Sequence, residues 1–178
     1  MIFPLIGRSP RRATISALYG MIVAQARLPV LYRDYAVPDT VNGRFDLIVL
    51  HLALLLDRLD QDDSLRRLGQ SVFDRFCRDL DQNLREMGVG DLAVPKEMRR
   101  LGEAFYGRAQ AYRSALVAAD DQALVAALRR NIYGGLETAP AERLACYMRE
   151  AVRGLQAQTF EDLAAGRLSF PDPASVVP

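Results

Sequence analysis

Side chains able to do acid–base, nucleophilic or metal chemistry are few in this 178-residue chain. It has one histidine, His51, which lies inside the apolar run LIVLHLALLL at 47–56. A metal or haem ligand would need partners at ligand spacing, and no second histidine and no cysteine or glutamate pair stands beside it. We therefore expect His51 to be a buried neutral side chain, hydrogen-bonded to the backbone or to a carboxylate.

The cysteines, carboxylates and glycines also lack a catalytic arrangement. Cys77 and Cys146 occupy apolar helical positions in a chain without a secretory signal, which favours reduced core thiols. A helical two-metal site requires Glu-x-x-His pairs, and none accompanies the carboxylates between residues 74 and 91. The motif GVGD at 88–91 lacks the preceding strand that a dinucleotide loop needs. We expect no enzyme activity, no metal and no bound cofactor.

Charged and aromatic side chains are concentrated instead around one predicted turn. Gly88 follows the last apolar position of one helical repeat, where a left-handed cap favours glycine, and Pro95 stands in the first turn of the next repeat. Exposed charge pairs contribute only about 0–1 kcal/mol each to stability, so their concentration indicates a partner-binding surface. The predicted surface comprises Arg85, Glu86, Asp91, Lys96, Phe105, Tyr106 and Arg108.

Two alternatives compete with that interpretation. Arg85 or Arg108 could cross between helices in an internal network that serves the fold. Phe105, Tyr106 and Tyr112 stand at helical spacing, which fits the core and its rim better than a platform for stacking bases.

Apolar residues at three- and four-residue steps predict about six helices and no strand. The first helix should begin at Ser9–Pro10 and end at Pro29, followed by an ordered loop over 30–43. The second holds the run 47–56, which is apolar all round and therefore buried and central, but too short to span a bilayer. The third and fourth helices flank the Gly88 turn and should pack as an antiparallel hairpin.

The remaining signals predict two more helices and a short one. Asp120 or Asp121 should cap the fifth helix, and the sixth should start near Pro140. Thr159 with Asp162 should cap a further short helix. We expect one all-α domain over residues 9–170, a short lead at 1–8, and a docked Phe170 followed by a loose tail at 171–178.

The formal net charge of +1 argues against a general nucleic-acid binder and against DNA as a partner. The amino end is nevertheless basic, because Arg8, Arg11 and Arg12 precede the first acidic residue, Asp34. Such a patch either contacts anionic lipid or ribosomal RNA, or is a solvated helix face. The opening MIFPLIG is too short for a signal-peptide core or a membrane span, so we expect no export.

Five segments in fixed order make the chain resemble the ubiquinol-cytochrome c chaperone family. They are QARxPxxY at Gln25–Tyr32, VPDTxxGRF at Val37–Phe45, LREMGVGD at Leu84–Asp91, VPK at Val94–Lys96 and AFYGR at Ala104–Arg108. The resemblance runs from about residue 18 to about residue 170. It implies an assembly chaperone of ubiquinol-cytochrome c reductase, which binds newly made cytochrome b near the ribosome until haem and partner subunits join.

The resemblance also implies where such a protein works. Mitochondrial members carry a targeting extension that is not seen here, and arginine-rich usage with Lys96 as the only lysine is typical of a bacterial protein. We expect it in the bacterial cytoplasm, peripheral at the inner membrane, with the ribosome tunnel exit and a second small assembly factor as further partners. The rival functions are a ribosome- or RNA-associated adaptor and an enzyme with an unrecognised site.

Overall fold

The computed structural model of the chain describes residues 10–118, 120–137 and 140–176. These residues form α-helices and one 3-10 helix, without a strand, which confirms the all-α prediction. The helices are α1 (Pro10–Ala26), α2 (Pro29–Arg33), α3 (Val41–Asp60), α4 (Arg66–Glu86), α5 (Val94–Val117), α6 (Gln122–Ile132), α7 (Ala141–Ala157), α8 (Phe160–Ala164) and the 3-10 helix Pro173–Ser175.

Helix α3 is the centre of the fold, as predicted. Eleven of its twenty residues are buried, and it contacts α1, α4, α5, α6 and α7. It is longer than the apolar run 47–56 because the Thr40 hydroxyl caps it early, accepting a hydrogen bond from the Gly43 N–H at 3.1 Å. Helices with one apolar stripe bury that stripe by surrounding this central helix.

The segment expected to be a loop, residues 30–43, is partly helical. Pro29 was expected to end the first helix, but α1 has already ended at Ala26, and Pro29 occupies the first turn of α2. Proline lacks an N–H and has a helical φ, so it fits the start of a helix as well as the position after one. The Tyr32 hydroxyl donates to the Ala26 carbonyl at 2.6 Å, which holds α2 against the end of α1.

His51 is completely buried and hydrogen-bonded on both ring nitrogens. Its Nδ1 lies 2.7 Å from the Leu47 carbonyl oxygen, and its Nε2 lies 2.7 Å from the Tyr147 hydroxyl. Burial lowers the pKa of His51 to about 4, so the imidazole is neutral. This confirms the predicted backbone-bonded neutral histidine, with a tyrosine rather than a carboxylate as its second partner.

Residues 168–176, here called the carboxy-terminal strap, pack against the domain. Gln25 donates through Nε2 to the Pro171 carbonyl at 2.9 Å, and the Tyr35 hydroxyl donates to the Pro173 carbonyl at 2.8 Å. Pro173 and Val176 are buried. The expected loose tail is therefore corrected over 171–176, because two proline carbonyls and two apolar side chains dock onto the fold.

The two cysteines are free and half-buried on α4 and α7. Both pack against the core, and burial raises the pKa of the Cys77 thiol. They lie at the edge of the core rather than deep within it.

Within the described residues, one stretch, 11–33, is long and apolar enough by composition to cross a membrane. This stretch is distinct from residues 1–7 and 47–56, which are too short to span a bilayer. In the structure it comprises α1 and α2 with a break at residues 27–28. Core helices and amino-terminal signals meet the same criterion, so composition alone does not assign it to a bilayer.

Candidate functional site

The hairpin of α4 and α5 turns through residues 87–93. Gly88 has a φ of +83°, and its N–H donates to the Arg85 carbonyl at 3.0 Å. The Val89 N–H donates to the Leu84 carbonyl, also at 3.0 Å. These two bonds form a Schellman motif, which satisfies carbonyl groups at the end of α4 and favours glycine at the left-handed position. The predicted capping turn is confirmed.

Arg85 braces this turn through two ion pairs on the surface of the protein. Its Nε donates to Asp81 Oδ2 at 2.8 Å, one helical turn earlier, and its Nη1 lies 2.5 Å from Asp91 Oδ1. The hydrogen bond from Arg85 lowers the pKa of the Asp81 carboxyl. Both partners belong to α4 and its turn, so among the described contacts Arg85 does not cross to another helix and the internal network stated as an alternative is not met for Arg85.

Other side chains at the turn face outward. Glu86 accepts a hydrogen bond from Gln82 at 2.8 Å, and Lys96 is exposed. Met87 and Leu92 are 57% and 99% exposed, although apolar side chains of that size are usually buried. The turn thus offers apolar contacts between charged ones, which the hairpin itself does not require.

The other three predicted residues lie away from the turn, so the expected single surface is corrected. Phe105, Tyr106 and Arg108 stand nine to twelve residues beyond Lys96 on α5, which corresponds to roughly 14–18 Å along the helix. Phe105 is 3% exposed and belongs to the core. A continuous helix of 24 residues separates these groups by its length alone.

Tyr106 lies at an aromatic cleft where the end of α3 meets α4 and α5. The Phe73 ring centroid lies 4.9 Å from that of Phe105 and 5.8 Å from that of Tyr106. Leu56 completes the apolar wall of a cavity of about 260 Å³. Tyr106 is 63% exposed, so the cleft opens to the surface beside it.

The rim of the aromatic cleft carries charges that are already paired. Arg66 lies 3.1 Å from Asp60 and 2.8 Å from Asp63, and Arg113 lies 2.7 Å from Asp57. Because each rim arginine has a carboxylate partner, the cleft suits an apolar group with a polar surround better than a charged ligand.

Arg108 faces α3 rather than the turn. Its Nη2 lies 3.0 Å from Asp46 Oδ1, and its guanidinium lies 5.9 Å from the Phe45 ring centroid. The Asp46 side chain is 8% exposed, and burial raises its pKa to about 6 although the nearby Arg108 opposes that shift. Arg108 therefore serves the packing of α5 on α3, which is the alternative stated above.

The basic amino end is only partly free. Arg11 donates through Nη2 to Ser71 Oγ at 3.1 Å, which ties α1 to α4, whereas the Arg12 side chain is exposed. Arg8 lies outside the described residues. The expected patch is thus represented here by Arg12, with Arg11 in a structural contact.

Within the described ranges, no group of three or more histidine, cysteine, aspartate or glutamate side chains could hold a metal ion. Two relevant residues were missed by sequence reasoning. Phe73 lies one position off the apolar ladder of α4, and that extra aromatic was the available signal. Asp46 directly precedes the apolar run 47–56, and its burial becomes visible only once α3 is seen to begin at Val41.

Comparisons with known proteins agree with this architecture. The family model of the ubiquinol-cytochrome C chaperone matches residues 33–170. The ubiquinol-cytochrome-c reductase complex assembly factor 1 of Xenopus laevis is 27% identical over 149 residues, which are 82% of this chain and 74% of that protein. The Mus musculus and Homo sapiens proteins of that name are each 29% identical over 149 residues, and the match spans half of their length. The crystal structure of the Cbp3 homolog from Brucella abortus has a TM-score of 0.87 at 42% identity, covering 94% of both chains.

Proposed function

The chain belongs to the ubiquinol-cytochrome C chaperone family, and on that premise we propose that it is an assembly chaperone that binds newly made cytochrome b. It holds this subunit before haem and the partner subunits of ubiquinol-cytochrome c reductase are added, and it acts by binding, without catalysis. Membership of the family and the fold shared with the bacterial Cbp3 homolog support a role in binding rather than in catalysis.

The observation that carries the proposal is the uncovered aromatic cleft. A membrane protein outside lipid exposes apolar helices, and a chaperone can shield them in an apolar groove with charges at its rim. Tyr106 exposes most of its ring beside Phe73, between the paired charges of α4 and α5. We assign cytochrome b contact to this cleft.

Two glycines inside α5 support the same surface. Gly102 and Gly107 each cost the helix about 1 kcal/mol relative to alanine. A Cβ atom at either position would meet no atom within 4 Å beyond its chain neighbours and the backbone of its own helix, so internal packing does not require glycine there. A close approach of another backbone would explain a glycine at position 107, and we assign that approach to a partner helix next to Tyr106.

Site-specific crosslinking tests the assignment. A benzoylphenylalanine in place of Tyr106 should crosslink to newly made cytochrome b in growing cells. The same group in place of Met21, which is 42% exposed on α1, is the matched control and should not. If position 106 gives no crosslink in cells that still assemble the complex, the aromatic cleft is not the binding site for cytochrome b.

A deletion strain tests the function independently of the cleft. Its membranes should lose the b- and c-type haem signals of ubiquinol-cytochrome c reductase, while unrelated membrane proteins remain. Normal signals with normal ubiquinol oxidation would reject the chaperone assignment itself.

We further propose a place in the bacterial cytoplasm, peripheral at the inner membrane, with the ribosome and a second small assembly factor as additional partners. Affinity isolation distinguishes this from the rival adaptor function. Recovery of ribosomal proteins without cytochrome b would favour a ribosome-associated adaptor.

A further inference from the structure

The outward face of α1 carries no charged side chain. Over residues 13–26 the sequence has neither an acidic nor a basic residue. A surface helix of a soluble protein normally turns charged or polar side chains outward, and a helix that is apolar all round is normally buried. Helix α1 fits neither case, because part of its uncharged segment is exposed. The exposed residues of that segment are Ala13, Ser16, Ala17, Gly20, Met21 and Ala24.

The other side of α1 is committed to the protein core. Leu18 and Ile22 are fully buried, and the helix packs against α3 and α4. The stretch 11–33 is apolar enough to cross a membrane, yet only 28% of its apolar window is buried. Lipid cannot surround a helix that packs on two others, so α1 does not span a bilayer in this fold. Its free face can instead lie flat on a membrane surface, as interfacial helices do.

Positive charge frames the uncharged face at both ends. Arg12 precedes it and Arg27 follows it, roughly 22 Å apart along the helix axis. Both side chains are exposed, and neither has an ion-pair partner in the part of the chain that the structure describes. No acidic residue precedes Asp34 in the sequence. The one carboxylate in the cavity beside this face, that of Asp162, is paired with Arg167 at 2.7 Å.

A cavity of about 660 Å³ beyond the carboxyl end of α1 brings Arg27 together with two more arginines. Of these, Arg33 is paired with Asp34 and Arg44 with Asp39. Those two pairs are electrically balanced, so Arg27 supplies the excess positive charge. Because guanidinium groups bind phosphate oxygens in fork geometry, the cavity offers a contact for a lipid phosphate at one end of the uncharged face.

This combination fits an anionic bilayer better than RNA or a free anion. RNA binding uses a continuous basic stripe that follows the phosphates, whereas here an uncharged face separates Arg12 from Arg27. A free phosphate would contact arginines but leave the apolar face in water. A bilayer surface presents phosphates and apolar chains side by side, which matches both features.

We propose that the outward face of α1, with Arg12 and Arg27 at its ends, binds anionic phospholipid at a membrane surface. The helix lies in the plane of the membrane, with its arginines at the lipid phosphates and Met21 toward the acyl chains. The exposed apolar residues are mostly small, so charge supplies most of the attraction and insertion is shallow. The inference rests on the membrane-peripheral location proposed above, and it adds the surface and the lipid class.

Flotation of the full chain with vesicles tests the proposal. The vesicles are pure phosphatidylcholine and an equimolar mixture of phosphatidylcholine with phosphatidylglycerol. We expect binding to the mixed vesicles only, and less of it at high salt because screening weakens the attraction. Equal binding to both kinds of vesicle would overturn the proposal. No binding to the mixed vesicles would also overturn it, and binding to ribosomal RNA instead would favour the RNA-associated alternative.

A pair of charge variants locates the contact. Arg27→Gln should weaken binding to the mixed vesicles roughly five-fold, the share of one arginine near an anionic surface. Because Arg27 is exposed, the variant should melt like the wild type. Arg99→Gln, which is exposed on α5, makes the same change of net charge and should bind with unchanged affinity. Unchanged binding by Arg27→Gln, or an equal loss in both variants, would overturn the assignment to α1.

A single tryptophan reports which face meets the lipid, because the chain has none of its own. In Met21→Trp, tryptophan emission should move to shorter wavelength on the mixed vesicles, since the indole enters a less polar environment. Met87→Trp, at a methionine that is 57% exposed in the hairpin turn, is the matched control and should not shift. Absence of a shift at position 21 in vesicle-bound protein would overturn the proposal. The vesicles hold no cytochrome b, so such a failure rejects the lipid contact alone, whereas the deletion strain decides the chaperone assignment.

Discussion

The Tyr147 hydroxyl on α7 donates a hydrogen bond to Nε2 of His51 on α3 across 2.7 Å of an apolar core. The Leu47 carbonyl oxygen near Nδ1 can only accept, so Nδ1 carries the imidazole proton and Nε2 is the acceptor. Gln25 on α1 donates to the same Tyr147 oxygen at 3.0 Å. One polar chain thus joins three helices that are far apart in sequence.

This relationship predicts coupled stability losses. His51→Leu removes the acceptor of the Tyr147 proton, and Tyr147→Phe removes the donor to His51, so each should lower the free energy of unfolding by roughly 1–3 kcal/mol. The double variant should cost less than the sum, because each single change strands the other group. Urea unfolding of the wild type, the two single variants and the double variant measures these free energies. Strictly additive losses would contradict the prediction.

His51→Leu that still folds should also still capture cytochrome b. Loss of capture by the folded variant would show that His51 has a functional role.

Two buried groups should give opposite pH dependences. Between pH 6.5 and 4 the unfolded chain protonates His51 and the folded chain does not, so His51 alone lowers stability on acidification by up to about 3 kcal/mol. Asp46, with a pKa raised to about 6, binds its proton first in the folded state, so it raises stability over pH 6 to 4. The two effects oppose each other in the wild type.

Asp46→Asn separates these effects. The variant keeps the shape of the side chain but loses its titration, so its melting temperature should fall more steeply from pH 6 to 4 than that of the wild type. Thermal melts in this range provide the comparison. Parallel curves for the two proteins would show that Asp46 does not titrate there.

The glycines of the chain give a matched pair of variants. Gly107→Ala should raise the free energy of unfolding by up to about 1 kcal/mol, because the added Cβ meets open space and improves the helix. It should also weaken crosslinking from Tyr106 if a partner backbone approaches there. Gly43→Ala should instead lower stability, since its Cβ would lie 2.0 Å from the Pro38 carbonyl oxygen. Unchanged crosslinking in Gly107→Ala would leave that glycine without a binding role.

The effect of removing a charge near the hairpin on the melting temperature should depend on how buried that charge is. Arg108→Gln leaves the buried Asp46 carboxylate without its cation and should lower the melting temperature by several degrees. Glu86→Gln and Asp91→Asn change exposed groups and should shift it little. If either turn variant loses cytochrome b capture at an unchanged melting temperature, the turn is a second contact surface. Capture that falls only in parallel with melting would limit these charges to a structural role.

The exposed Arg12 provides the test of membrane or ribosome association. Arg12→Glu should reduce co-sedimentation with membranes or ribosomes, and the difference should shrink at high salt because screening weakens surface attraction. Arg99→Glu is the control for a general change of net charge. Equal sedimentation of Arg12→Glu and wild type would reject a basic amino-terminal contact.

Local signals predicted the hairpin well. The cap at Gly88 depends on hydrogen bonds to residues three to five positions earlier, and the Thr159 hydroxyl caps α8 by accepting from the Asp162 N–H three residues later. Such short-range geometry is encoded in a few neighbouring residues.

Long-range partners could not be predicted in the same way. The docking of Pro171 and Pro173 depends on Gln25 and Tyr35, and proline-rich composition alone resembles a loose tail. Arg108 was grouped with the turn because sequence spacing does not reveal which neighbouring helix a side chain faces. The aromatic cleft likewise requires three helices to meet before Phe73 and Tyr106 become neighbours.

The carboxy-terminal strap also sets an order of events during synthesis. It supplies the Pro171 and Pro173 carbonyls that accept from Gln25 and Tyr35, and its Phe170 ring packs edge-on against His51 at 4.9 Å. While a ribosome is still translating earlier residues, the nascent domain lacks these contacts and part of its core remains open. The domain therefore completes its packing only after residues 168–176 have left the ribosome. The protein reaches its folded form only after all of its α-helices have been translated.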